Sequence, residues 1–154
     1  MKLSVVLNDI ATALANDVAI EAFCQAKYGK SISIYVHIDA KNPPKVSKAP
    51  WVGLTIQGYR RPVENNVVLV QFDVESALYC TEDKETTVGK ITTLNGFETT
   101  EDLSDLVFNN IETSITTSAT QLNLTYVNEQ QTSITISDFP GWIASKVFTA
   151  AKHV

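Results

Sequence analysis

The chain has 154 residues, 44% hydrophobic and 19% charged, with 12 basic and 17 acidic side chains for a formal net charge of -5. A domain of that length buries roughly 68–70% of the surface its unfolded chain exposes, and the composition is neither disordered nor low-complexity. No basic cluster is longer than Arg60-Arg61. The concentrated cationic face that captures phosphates is missing, so no nucleic-acid partner is expected.

Along the first seventeen residues Asn8 and Asp9 interrupt the apolar stretch that a signal peptide would need to keep continuous, and no window approaches the ~18 apolar residues of a membrane span. A soluble protein made in the cytoplasm, with no membrane partner, is the expectation. Leu3, Val6, Leu7, Ile10 and Leu14 recur at helical steps and predict a first helix. Asn16 and Asp17 can end it and cap a second helix over Val18 to Tyr28, packed through Val18, Phe23 and Ala26 and closed by Gly29. Cys24 lies in that helix and Cys80 at the end of a later strand, outside any CxxC or Cys/His cluster. Two buried free thiols is one reading and a single disulfide the other.

The period then changes to two. Ile32, Ile34, Val36 and Ile38 alternate with Ser33, Tyr35, His37 and Asp39, which predicts a strand with one buried face. Pro43, Pro44 and Pro50 make Lys41 to Pro50 an exposed loop. Trp51 to Tyr59 is a second strand, with Val52, Leu54 and Ile56 inward, and Arg60 to Asn66 is a turn. Val67 to Tyr79 is a third, with Val68, Val70, Phe72 and Val74 on one side. Three strands joined by short or medium loops predict an antiparallel meander.

Thr81 to Thr99 is polar and reads as a mobile loop with a short strand near Ile91. Thr99 or Thr100 then caps a helix whose stripe is Leu103, Leu106, Val107, Ile111 and Ile115. Leu122 to Tyr126 and Ile134 to Ile136 alternate around a polar turn and predict a hairpin. Pro140 suits the first turn of a last helix, packed through Trp142, Ile143, Val147 and Ala151. The order predicts a single α+β domain over 1–154: a largely antiparallel sheet of about five strands with helices packed on one face. The other face carries Ser, Thr, Tyr, Gln and His side chains, for water or for a partner.

Few residues offer chemistry. The only histidines, His37 and His153, stand on a strand's polar face and at the penultimate position, and no Ser lies in a GxSxG element. Two isolated cysteines and two distant histidines do not make a tetrahedral zinc set, and Glu82-Asp83-Lys84-Glu85 lacks the spacing and central Gly of a calcium loop. The glycines form neither GxGxxG nor a P-loop. Asp39, Asp73 and Glu75 are carboxylates that adjacent strands could bring together as a pair for acid–base work. No catalytic residue, metal or cofactor is therefore expected. Trp51, Tyr59 and Tyr79, at strand ends or on the polar face, are the interface candidates, because large aromatics are enriched at protein contacts. Core packing of each is the alternative.

An amphipathic first helix, a Pro-containing loop leading into Ala49-Pro50-Trp51-Val52-Gly53-Leu54-Thr55-Ile56, a long strand Val67 to Tyr79, a helix from Thr100 to Ile115 and a late hairpin from Leu122 follow one another in this chain. This order resembles that of the tail terminators and related tail-completion or neck proteins of long-tailed phages and prophages. The likeness covers most of the chain and lies in the order of elements, without a specific motif. It implies a non-enzymatic structural protein that self-associates into a ring, commonly a hexamer, caps the tail tube protein and meets a head-completion protein. It also implies that the sheet and the loops at Lys41 to Pro50 and Thr81 to Thr99 contact neighbours. The segment from Pro140 to Val154 departs from the shorter members of that family. A small-ligand-binding or enzymatic domain, and an adaptor or immunity-type interaction module, are the alternatives.

Overall fold

A computed structural model describes residues 3–39, 41–62, 68–122, 124–129 and 131–153, with the side chains of 59–70, 118–130 and 152–153 outside that description. Helix α1 (Leu3–Ala15) buries Val6, Leu7, Ile10 and Leu14 as its periodicity predicts. Asp17 is extended, and its carboxylate accepts from the Ile20 amide at 3.0 Å, which starts α2 (Val18–Tyr28). Gly29 closes α2 in the left-handed region (φ 67°), where a side chain would be strained. Val18 and Ala26, expected to pack, are both exposed, so α2 packs through Ile20 and Cys24, with Phe23 half-buried.

Strand β1 is only Ser33–Val36, because the backbone turns at His37 (φ 59°). That turn carries Ile38 to the opposite face from Ile34 and Val36, against Trp51 and Tyr79. Strand β2 (Trp51–Pro62) then pairs with β1 in parallel, Ser33 opposite Trp51 and Val36 opposite Leu54. The expected antiparallel meander is thus wrong at its first step. Residues 37–50, with a 3-10 turn at Val46–Lys48, are long enough to run back along the sheet and start β2 at the same end as β1. Strand β3 (Val68–Thr81) is antiparallel to β2 along its length.

The region read as a loop after Thr81 forms a hairpin, β4 (Glu85–Val88) and β5 (Ile91–Leu94). Its two-residue turn has Gly89 at φ 62°. Helix α3 (Gly96–Leu122) begins before the expected cap: Thr99 and Thr100 are buried within it, and the Thr99 amide already bonds the Asn95 carbonyl. Strands β6 (Leu124–Glu129) and β7 (Ser133–Ile136) do not pair with each other as a hairpin; both lie along β8 (Gly141–His153).

Strand β8 replaces the expected last helix. Trp142, Ala144, Phe148 and Ala150 are buried at even positions, a period of two that outweighs the helical spacing of Trp142, Ile143, Val147 and Ala151. Paired with β3 over 13 residues on one side and with β6 and β7 on the other, β8 is central to a six-stranded sheet of order β1-β2-β3-β8-β6. The fold is α+β, with a mostly antiparallel sheet.

The helices share one core with the even-numbered residues of β2, β3 and β8. Leu103, Val107, Ile111 and Ile115 of α3 belong to it with Val52, Leu54, Phe72, Val74 and Leu78, while Leu106, Ile34 and Val36 sit at its margin. The expected partners Val68 and Val70 have side chains outside the described residues. Among the described residues no single helix is long and apolar enough to cross a membrane.

Candidate interaction surface

Odd-numbered residues of β2, β3 and β8 form the helix-free face, and the register lines them up in rows. Trp51, Tyr79 and Ile143 make the first row, Gly53, Ala77 and Ser145 the second, Thr55, Glu75 and Val147 the third, and Gln57, Asp73 and Thr149 the fourth. In the first row Trp51 stacks on Tyr79, with centroids 5.5 Å apart and planes at 10°, and Tyr35 meets Trp51 edge-on at 6.2 Å. Ala49, Ile38 and Ile143 close over this ridge and leave Trp51 5% and Tyr79 7% exposed. Two of the three aromatic interface candidates are therefore packed into a small second core. The backbone of Tyr59, the third, pairs with Gln71, and its side chain lies outside the described residues. Burial raises the Tyr79 hydroxyl above its ordinary pKa, with the Asp138 charge and then Cys80 adding to it.

The second row is made of small residues and forms the floor of a groove of about 340 Å³, bounded by Ile38 on one side and by Thr55, Glu75 and Val147 on the other. Gly53 makes room for Ile38, since a Cβ at that position would stand 2.6 Å from Ile38 Cδ1 and push that side chain aside. Glu75 is exposed in the groove wall. The three carboxylates considered for acid–base work are each placed differently. Asp73 Oδ1 accepts from Thr149 Oγ1 at 2.6 Å. Asp39 accepts from the Lys41 amide at 2.9 Å and from Asn42 Nδ2 at 2.8 Å, and these bonds hold its carboxyl below the usual range. His37 is an exposed turn residue, and the His153 side chain is outside the described residues.

A second concavity, about 630 Å³, lies between the end of α2 and the base of the β4–β5 hairpin, lined by Lys27, Tyr28, Thr81, Glu82, Lys84 and Pro140 among others. Buried polar groups gather beside it. The hydroxyls of Tyr28 and Thr100 lie next to the Cys80 thiol, and neither completes a hydrogen bond among the described residues. Cys24 and Cys80 are both buried and free, as one of the two sequence readings had it. Burial pushes the Cys80 thiol up to about 11, against the two hydroxyls, and the Cys24 thiol up to about 12, with Cys80 and Glu21 adding to it. Thiolate is the nucleophilic form, so neither cysteine is activated. Among the described residues no group of three His, Cys, Asp or Glu side chains could hold a metal ion.

The third feature is the hairpin itself. Every residue from Glu85 to Thr93 is exposed, and Thr87 and Thr92 share a cross-strand hydrogen bond at 2.9 Å. At its tip Val88 is 74% and Ile91 72% exposed, flanking Gly89 and Lys90. The sequence signal was there to be read: Val88 and Ile91 bracket a Gly-containing dipeptide between two Thr pairs. No protein-family model matches this chain, and no curated protein matches it.

Proposed function

We propose that this chain is a non-enzymatic assembly protein of the tail-terminator kind, the family that its order of elements resembles. Subunits associate into a closed ring, a hexamer on the family's pattern, which caps a tail tube protein and offers a surface to a head-completion protein. On this reading it acts in the bacterial host's cytoplasm during assembly and then in the virion tail, without cofactor or nucleic-acid partner.

The observation that carries the reading is the β4–β5 hairpin, which extends from the body with two apolar residues uncovered at its tip. A two-stranded hairpin is marginal in water by itself, and exposed apolar groups brought together on a projecting element point to a protein contact. The helix-free face adds a surface with a groove floored by small residues, beside the ridge that Ala49 and Ile38 cover. Ring formation needs two such different surfaces on each subunit, because a ring is built from head-to-tail contacts.

A second reading, a small-ligand-binding or adaptor domain, is favoured by the 630 Å³ cleft and the unpartnered Tyr28 hydroxyl beside it. Deletion of the gene from its phage or prophage distinguishes the two. Tails of uncontrolled length, or tails unable to join heads, and their rescue by the parent gene are expected. Normal tails on normal heads would end the tail-terminator reading and favour the second.

A further inference from the structure

We infer that the β4–β5 hairpin of one copy docks in the helix-free groove of a second copy, with Val88 and Ile91 on the Ala77–Ser145 floor beside Ile38 and Lys90 beside Glu75. This contact rests on the assembly reading and names its two surfaces.

The tip and the groove match in size. Adjacent strands lie about 4.8 Å apart, so Ala77 and Ser145 on β3 and β8 are spaced as the two strands of the hairpin are, and the open floor matches the two tip side chains Val88 and Ile91. Four residues in each hairpin strand give the tip a reach of about 13 Å, enough to enter a shallow groove while the base stays clear. The floor is open at Ala77 and Ser145, whose side chains are small, while Ile38 packs over the Gly53 end; Ile38 and Val147 supply apolar flanks for the two tip side chains.

Charge selects the occupant. Glu75 is exposed in the groove wall, and Lys90 is exposed at the hairpin tip between the two apolar residues. Lys146 also borders the groove, but its ammonium lies 5.4 Å from the Phe148 ring centroid, and Phe148 belongs to the helix-side core. The acid on the hairpin, Glu85, stands at the start of β4, away from the tip. A second copy of the chain thus presents an apolar tip with one positive charge to an apolar groove with one negative charge. In the chain's own groove the hairpin is not seated, since every residue from Glu85 to Thr93 is exposed. Each copy offers one tip and one groove, so the contact is heterologous and can close into a ring.

The test uses the full chain and follows oligomer mass against concentration by sedimentation velocity, with circular dichroism as the check on folding. Lys90→Glu and Glu75→Lys are each expected to move assembly to concentrations at least about tenfold higher, because each sets like charges against one another. Val88→Asp should do the same. An equal mixture of Lys90→Glu and Glu75→Lys should assemble again, since alternating copies then meet opposite charges at every contact. A parent that assembles, together with tip variants that assemble equally well, overturns this contact and leaves the ring reading standing. Loss in the single variants without rescue in the mixture overturns the Lys90–Glu75 pairing. A parent that stays monomeric up to its solubility limit overturns both the ring and this contact.

Discussion

Replacing Gly96 with Ala inverts the usual effect of that substitution in a helix. Ala is favoured over Gly by about 1 kcal/mol in a helix interior. Gly96, however, lies in the first turn of α3 directly under the Trp142 indole, and an added Cβ would collide with Nε1, Cε2 and Cδ1 of that ring. The ring has little room to yield. Trp142 is 4% exposed, is set in central strand β8, and donates from Nε1 to the Glu82 carbonyl at 3.4 Å. Overpacking of this kind costs about 1–3 kcal/mol. The collision therefore outweighs or cancels the helical gain, and a net loss of about 0–2 kcal/mol is expected. In urea the midpoint should fall or hold at unchanged slope, and Tm should drop by up to about 8 °C. Trp142→Phe removes part of the colliding ring, so the double variant should show a favourable coupling of at least about 0.5 kcal/mol. If Gly96→Ala instead raised the midpoint like an ordinary helical Gly→Ala, Trp142 would not stand over α3, and the placement of β8 would be wrong.

Leu103→Ala should cost about 2–5 kcal/mol in urea unfolding because Leu103 is fully buried, and Leu106→Ala clearly less because Leu106 is at the core's margin. Equal costs would contradict the helix's orientation. Asp17→Ala removes both the cap of α2 and the 2.7 Å bond from Asn110 Nδ2, and a loss of about 1–2 kcal/mol is expected. The two buried thiols stay protonated in the folded chain after the unfolded chain has begun to ionise from its ordinary value of 9.0. Stability is therefore full below about pH 9 and falls as pH rises towards about 11 and 12, with a slope approaching about 2.7 kcal/mol per pH unit. Cys24→Ser/Cys80→Ser should flatten that slope, and an unchanged slope would assign alkaline unfolding to other groups.

The N-terminal helices were legible because each rule is local: a 3.6-residue stripe, an Asp cap and a Gly in the left-handed region. The inward faces of β2 and β3 were equally plain, since Val52, Leu54, Phe72 and Val74 alternate cleanly. The C-terminal strand was misread because Pro140 fits a helix start, and because Trp142, Ile143, Val147 and Ala151 satisfy a helical stripe almost as well as Trp142, Ala144, Phe148 and Ala150 satisfy a strand. Pairing with β3 and β6 decides between them, and no local signal carries it. The parallel β1–β2 pair was hidden for a related reason: only the path of residues 37–50 sets the direction. For the surface, Trp51 and Tyr79 stood out as large aromatics. That they would stack into a ridge beside a trough of Gly53, Ala77 and Ser145 depends on cross-strand register, which alternation does not specify.

In the proposed assembly, identical subunits close on themselves through two different surfaces. Native mass spectrometry of the parent chain over a wide concentration range tests it most directly. A single closed oligomer, six subunits on the family's pattern, should grow at the expense of monomer with few intermediates. A monomer at every concentration, or an open-ended ladder of sizes, would contradict it.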